Sequence, residues 1–175
     1  TLKGRGGIGK TSLAIHVIDE IINTFPSRFQ VIVWFSARDV DLMVEGPKQV
    51  QAVVANQKDI SIEYYNQIGE KRSKKTVIDD FSKELTHNSI GDALYIFDNF
   101  ETLSNPIEVF EWLDSYIRLP NKILITSRLS RNFKADYPVE VKGMNEDQCR
   151  SLIFNTASRF GIQELLTEEY IDSLI

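Results

Sequence analysis

A glycine-rich octapeptide near the start of the chain constrains the fold more than any other feature. Residues 4–11 read Gly-Arg-Gly-Gly-Ile-Gly-Lys-Thr and fit the pattern G-x-x-x-x-G-K-[ST] at every required position. Apolar residues then recur at helical spacing, which predicts a helix over residues 10–24, ending before Pro26. Glycines let the backbone curl so that its N–H groups point inward, and the first helical turn adds unpaired donors. The octapeptide therefore predicts a phosphate-binding loop.

Short apolar runs alternate with helical patterns along the rest of the chain. The runs predict strands at residues 30–36, 93–98, 123–126 and 139–141. Helical patterns separate them, one ending before Asn88 and one closed by Pro120, and Asn145 is predicted to cap a further helix. Because alternating strands and helices imply right-handed βαβ crossovers, we expect a three-layer α/β/α fold with a parallel sheet.

The pattern between residues 38 and 75 is less regular. Gly46-Pro47 predicts a turn, and Val50, Val53 and Val54 are compatible with the start of a helix. The charged run at residues 71–75 predicts a solvated loop.

Composition excludes several kinds of partner and site. The formal charge of −5 removes a general attraction to nucleic acid, and no apolar run approaches the roughly 18 residues that span a bilayer. We therefore expect a cytoplasmic protein with neither nucleic acid nor membrane as a partner. With Cys149 as the single cysteine and with two histidines, His16 and His87, neither an internal disulfide nor a zinc cluster is expected.

Two residues are predicted to bind Mg²⁺ beside the loop. Asp98 ends the apolar strand at residues 93–98, where a parallel sheet delivers side chains to its binding edge. Thr11 supplies a hydroxyl, and Mg²⁺ prefers hard oxygen donors of both kinds. Lys10 is predicted to reach the β and γ phosphates as a point charge.

Three further polar residues follow the strands that end near the loop. Asn99 stands where many rapid ATPases have a second carboxylate, and an amide cannot act as a general base. Glu101 is an alternative candidate for that role, or a solvated loop residue. Arg128 follows the strand at residues 123–126 and is predicted to contact the γ-phosphate through its planar fork of donors, unless it is a surface arginine.

Together these motifs resemble the nucleotide-binding module of STAND ATPases, the NB-ARC-like signalling NTPases. Residues 4–14 are similar to the family's G-x-G-G-x-G-K-T-x-L-A, residues 98–101 to its bacterial Walker B variant, and residues 123–128 to its sensor strand. Residues 141–148 resemble the turn that opens its helical lid. Residues 34–39 are similar to bacterial members, some of them implicated in antiphage defence.

The resemblance implies an organisation and a mode of action. It implies the strand order 5-1-4-3-2, ATP and ADP as ligands, and a switch that forms a homo-oligomer in its ATP state and controls an effector. Residues 1–143 would form the nucleotide-binding domain and residues 144–175 the start of the lid. We expect the first strand to lie mostly before Thr1, and the adenine-contacting segment, sensor and effector domains to lie outside these residues.

The site prediction can be stated by residue. The predicted nucleotide-binding residues are Gly4, Gly6, Gly7, Ile8, Gly9, Lys10, Thr11, Ser12 and Arg128. The predicted catalytic residues are Lys10, Asp98, Glu101 and Arg128, and the predicted metal ligands are Thr11 and Asp98.

Other functions are open to a chain with such a loop. A fast ATPase motor or remodeller is the main alternative to a slow switch, and a small-molecule kinase is a weaker one because no acceptor site is recognisable. A GTPase should carry Asn-Lys-x-Asp, but residues 121–124 read Asn-Lys-Ile-Leu and enter a strand, so this alternative is set aside.

Overall fold

The computed structural model describes residues 1–37, 40–43, 46–49, 54–128 and 137–175, with backbone alone for residues 40–43 and 46–49. The contacts divide the chain into two compact units, Thr1–Val141 and Lys142–Ile175. Within the described residues, no helix is both long and apolar enough to cross a membrane.

The first unit is built on a five-stranded sheet whose described strand pairs are all parallel. Its strands are β1 (Leu2–Lys3), β2 (Val31–Ser36), β5 (Ala93–Asp98), β6 (Lys122–Ser127) and β7 (Val139–Glu140). They lie in the order β2-β5-β6-β1-β7. Numbered within the sheet by position in the chain, this is the expected order 5-1-4-3-2, so the predicted fold class is confirmed.

Among the described residues of this unit, four helices accompany the sheet: α1 (Lys10–Thr24), α2 (Gln57–Gln67), α3 (Val77–Thr86) and α4 (Pro106–Tyr116). One apolar cluster joins α2, α3 and α4 to a single face of the sheet, where Tyr95 and Phe97 of β5 pack. Leu94 and Ile96 alternate with them and are equally buried, as in a strand covered on both faces. The other helix, α1, packs against β1 and β6. The predicted range of α1 is matched at both ends.

The region between residues 38 and 75 contains two strands that the sequence pattern did not predict. Gly46 and Pro47 belong to β4 (Gly46–Gln49), which pairs antiparallel with β3 (Val40–Met43), so the turn predicted at these two residues is wrong. The next helix, α2, begins only after Asn56, whose side chain accepts hydrogen bonds from the main-chain N–H groups of residues 58 and 59. Val54 precedes it, and residues 50–53 lie outside the described part. Residues 71–75 form an exposed loop, as predicted.

The second unit has a helix on either side of a short 3₁₀ turn. Its helices are α5 (Glu146–Phe160) and α6 (Glu168–Leu174). Asn145 caps α5 as predicted, through a reciprocal capping box with Gln148. Arg150 of α5 is paired with Glu168 at 2.9 Å and with Asp172, which ties the two helices together.

Asn121, the first residue of the rejected guanine motif, is a buried structural link. Its side chain is 3% exposed and joins two neighbouring elements: Oδ1 accepts from the main-chain N–H of Ala93 at 3.0 Å, and Nδ2 donates to the carbonyl of Leu85 at 3.0 Å. Asn121 thus connects β5 to the end of α3, and these bonds account for an asparagine at this position.

We expect Asn121→Ala to lower the free energy of unfolding by about 1–3 kcal/mol, because it removes the bond to the buried main-chain N–H of Ala93. The Leu85 carbonyl still accepts from the main-chain N–H of Arg118 at 3.3 Å. Urea unfolding would measure the loss, with Asn66→Ala on the exposed side of α2 as the control. A variant as stable as the wild type but unable to bind GTP would instead assign Asn121 to guanine recognition.

Candidate nucleotide-binding site

The glycine-rich loop joins the end of β1 at Lys3 to the start of α1 at Lys10. Gly9 is the N-cap of α1 and has φ 97°, a left-handed conformation that residues with a Cβ rarely adopt. Gly9 has no side chain that could accept a hydrogen bond from the first-turn N–H groups of α1, so these groups stay available to a ligand. Such a helix N-terminus attracts anions.

Two other glycines are needed for close packing. A Cβ at Gly4 would lie 2.7 Å from the carbonyl oxygen of Val141, directly after β7. A Cβ at Gly6 would lie 3.2 Å from Cζ of Arg128. The loop is therefore enclosed by the segments that follow β7 and β6, which restricts how its backbone can move.

The Lys10 side chain lies within the loop rather than in solvent. Its Nζ donates to the carbonyl oxygens of Gly4 and Arg5, each at 2.9 Å, and the residue is 8% exposed. Burial lowers the pKa of the Lys10 ammonium; Glu101 and Asp98 raise the pKa in opposition, and Arg128 lowers it further. Lys10 thus stands among two carboxylates and a second cation.

Asp98 connects the loop helix to the neighbouring strand. It is the last residue of β5 and is 1% exposed. Its Oδ1 accepts hydrogen bonds from the hydroxyl of Thr11 at 2.7 Å and from the hydroxyl of Thr126 at 2.6 Å. The three side chains come from β5, α1 and β6, so Asp98 is held at the point where these elements meet.

The turn after Asp98 directs Glu101 towards Arg128. Asn99 has φ 59°, and its main-chain N–H donates to the Thr126 hydroxyl at 3.1 Å. A short 3₁₀ helix, Phe100–Thr102, follows it. One carboxylate oxygen of Glu101 lies 3.1 Å from Nε of Arg128, and the other accepts from the Arg128 main-chain N–H at 3.1 Å.

Solved structures with the same fold come from distant proteins. No model of a known family matches the sequence, and no curated protein matches it significantly. The Drosophila ORC bound to DNA superposes with a TM-score of 0.60 at 10% identity, over 88% of this chain and 38% of that one. Cdc6p from Pyrobaculum aerophilum gives 0.58 at 12% identity, over 90% and 42%. The ADP form of the Aeropyrum pernix ORC2 protein gives 0.56 at 13% identity, over 90% and 46%.

The chain has the P-loop NTPase fold. It spans less than half the length of each of these three proteins. Identities of 10–13% support the likeness of fold alone. Within this fold, the glycine-rich octapeptide is the P-loop, and β5 and β6 are the strands whose carboxyl ends border it.

The residues predicted from the sequence to act in catalysis or to bind the metal lie at one edge of the sheet. Lys10 and Thr11 lie at the start of α1, and Asp98, Glu101 and Arg128 follow β5 and β6. Asp98 and Thr11 are in direct contact. Their carboxylate and hydroxyl oxygens suit Mg²⁺, and the P-loop with its helix N-terminus suits phosphate, so the residues fit a Mg-nucleotide chemically.

Thr126 is the residue of this edge to which the sequence-based prediction assigned no role. It is 0% exposed, donates to Asp98 and accepts from the main chain of Asn99. The contact follows from the strand register, in which Phe97 and Ile125 are partners in adjacent parallel strands and are followed by Asp98 and Thr126. That register is not readable from the sequence, so no local signal marked the contact.

Proposed function

We propose that this chain is the nucleotide-binding core of a STAND-type ATPase, an ATP/ADP-gated signalling switch. One observation carries the proposal: the buried Asp98 carboxylate is bonded to Thr11 of the P-loop and to Thr126 of the adjacent strand. Through Thr11, Asp98 is linked to a ligand at the loop, and through Thr126 it is linked to the strand that leads to Arg128.

Each residue then has a role in holding the nucleotide. The loop N–H groups and the N-terminus of α1 hold phosphate oxygens, while Lys10 carries its charge to the β and γ phosphates. Thr11 and Asp98 would hold Mg²⁺, which neutralises phosphate charge when bound. Arg128 would contact the terminal phosphate, and only a ligand with differential contacts can shift a conformational equilibrium.

Two features support a slow switch over the alternative of a fast motor. Asn99 carries an amide, which cannot accept a proton from water. Glu101, the other candidate base, has both carboxylate oxygens engaged by Arg128. An attacking water would therefore have no strong base among these groups, and hydrolysis should be slow.

The partners proposed for the complete protein follow from the resemblance. They are a second copy of the chain in the ATP state, an effector domain and a sensor domain, and residues 144–175 would begin the lid. One neighbour was solved as an ADP form, and we carry ADP over to this chain. Another was solved bound to DNA. We do not carry DNA over, because the formal charge here is −5.

The decisive test measures two quantities, the rate of ATP hydrolysis and the ratio of ATP to ADP affinity. In the full-length protein without its stimulus, we expect single-turnover hydrolysis well below about 1 s⁻¹, the low end for typical enzymes. We expect Arg128→Ala to bring the ATP and ADP affinities closer by about tenfold, a typical coupling between ligand and conformation, and to leave ADP binding nearly intact. Calorimetric titration with ADP and a slowly hydrolysed ATP analogue measures the ratio.

Arg118→Ala, in the exposed segment that follows α4, is the matched control for the loss of a guanidinium. Fast unstimulated hydrolysis, together with an affinity ratio indifferent to Arg128, would favour the motor and contradict the switch.

A further inference from the structure

Glu101 holds Arg128 at two points. One carboxylate oxygen contacts the side-chain Nε and the other accepts from the main-chain N–H, both at 3.1 Å. The Glu101 side chain is 13% exposed and that of Arg128 is 60% exposed. A largely buried carboxylate therefore anchors a largely exposed arginine through both its backbone and the base of its guanidinium.

The guanidinium of Arg128 also lies against the P-loop. A Cβ built at Gly6 would be 3.2 Å from Cζ, 3.3 Å from Nε and 3.4 Å from Nη1 of Arg128. Gly6 is not among the glycines with positive φ, so its backbone conformation does not itself demand glycine. Arg128 thus contacts Glu101 and lies beside the P-loop at Gly6.

The turn that carries Glu101 is held by hydrogen bonds and is linked to Asp98. The Thr102 hydroxyl donates to the carbonyl of Ala37 and is 2.8 Å from the carbonyl of Asn99, so it fastens the 3₁₀ turn that carries Glu101. The Asn99 main chain is bonded in turn to Thr126, the residue that also bonds Asp98. Glu101 and the proposed metal ligand Asp98 therefore share one hydrogen-bonded support through Thr126.

We propose that Glu101 is a positioning residue that holds the Arg128 guanidinium over the P-loop and thereby sets the difference between ATP and ADP affinity. This inference rests on the proposed function. An exposed arginine loses much rotamer freedom when it binds a phosphate. The two bonds to Glu101 impose that restriction before the nucleotide arrives. The carboxylate also offsets the repulsion between Arg128 and Lys10, which lie close enough to influence each other electrostatically.

Three roles for Glu101 make different predictions for Glu101→Gln. A positioning role predicts weaker ATP binding, unchanged ADP binding and an ATP-to-ADP affinity ratio that falls by about 5- to 10-fold, no more than the loss expected for Arg128→Ala. A competing role, in which Glu101 withholds Arg128 from phosphate, predicts stronger ATP binding. A general-base role predicts unchanged affinities and a loss of single-turnover hydrolysis.

The experiment is a double-mutant cycle on the full-length protein. ADP and a slowly hydrolysed ATP analogue are titrated calorimetrically into the wild type, Glu101→Gln, Arg128→Ala and the double variant. We expect the double variant to lose no more discrimination than Arg128→Ala alone, because Glu101 acts through Arg128. Glu111→Gln, an exposed carboxylate on α4, should change nothing.

A second readout follows Arg128 without any nucleotide. In ¹⁵N NMR spectra, we expect the Arg128 Nε–H signal to exchange slowly in the wild type and to broaden in Glu101→Gln, because the substitution removes the charge of the ion pair at 3.1 Å. The proposal on Glu101 is overturned by additive losses in the cycle, by a ratio that Glu101→Gln leaves unchanged or raises, or by an unaltered Nε–H signal. A wild type that binds neither nucleotide overturns the proposed function itself, which distinguishes the two failures.

Discussion

Replacing Lys10 by alanine is expected to weaken nucleotide binding by about 100-fold or more. The variant keeps the main-chain donors of the loop but loses the cation nearest the β and γ phosphates. Hydrogen bonds to charged groups contribute about 1.5–3 kcal/mol each, and about 1.4 kcal/mol corresponds to a tenfold change in affinity. Two such contacts therefore account for the expected loss. Calorimetric titration of MgATP and ADP would measure it.

The local structure calls for a second variant beside Lys10→Ala. Alanine removes the buried aliphatic chain of Lys10 as well as its ammonium group, so a loss of packing would accompany the loss of charge. Lys10→Met keeps the aliphatic packing and removes the ammonium group, with its charge and its bonds to the carbonyls of Gly4 and Arg5, so both variants should lose binding if the ammonium group is the cause. Lys83→Ala removes an exposed lysine from α3 and serves as the control. Affinity for MgATP close to that of the wild type in Lys10→Met would remove Lys10 from its assigned role.

The second large effect is expected at Asp98. Asp98→Asn should weaken nucleotide binding in the presence of Mg²⁺ by about 10- to 100-fold, the range seen when groups that support a metal are altered. Binding of ADP without the metal should change much less, because the carboxylate acts on the metal rather than on the phosphates. Titration with ADP in MgCl₂ and again in EDTA would separate the two quantities.

A purely structural role for Asp98 predicts a different outcome of the same titrations. Asparagine can still accept from Thr11 and Thr126 through its carbonyl oxygen, so the connection among β5, α1 and β6 can survive the substitution. Asp114→Asn on the exposed face of α4 is the matched control. Equal losses with and without Mg²⁺ would mean that Asp98 only stabilises the junction of these elements.

Local sequence patterns determined the elements that carry the site. Helix α1 was predictable because glycines open it and a helical apolar period continues it, and both signals lie within a few turns of chain. Strands β2, β5 and β6 were predictable because strands buried on both faces are short continuous apolar runs. The order of the strands came from the resemblance of the motifs, and the observed sheet confirms it.

Other elements and contacts depended on tertiary structure. Helix α2 buries Ser61, Tyr64 and Tyr65 beside Ile60, so its inner face is not marked by an apolar stripe. The β3–β4 hairpin contains Gly46 and Pro47, residues that ordinarily indicate a turn. For α2, packing against the rest of the core outweighs the local preference. For β3 and β4, the antiparallel pairing of the two strands does so.

At the site itself, the sequence determined which residues reach the edge of the sheet, and the tertiary structure decided which of them touch. Thr11 and Asp98 are 87 positions apart, and Glu101 and Arg128 are 27 apart. Their contacts depend on the register of parallel strands, on the turn at Asn99 and on the absence of a side chain at Gly6. A hydrogen bond is decided by a few tenths of an ångström, whereas a sequence motif specifies only that a residue follows a given strand.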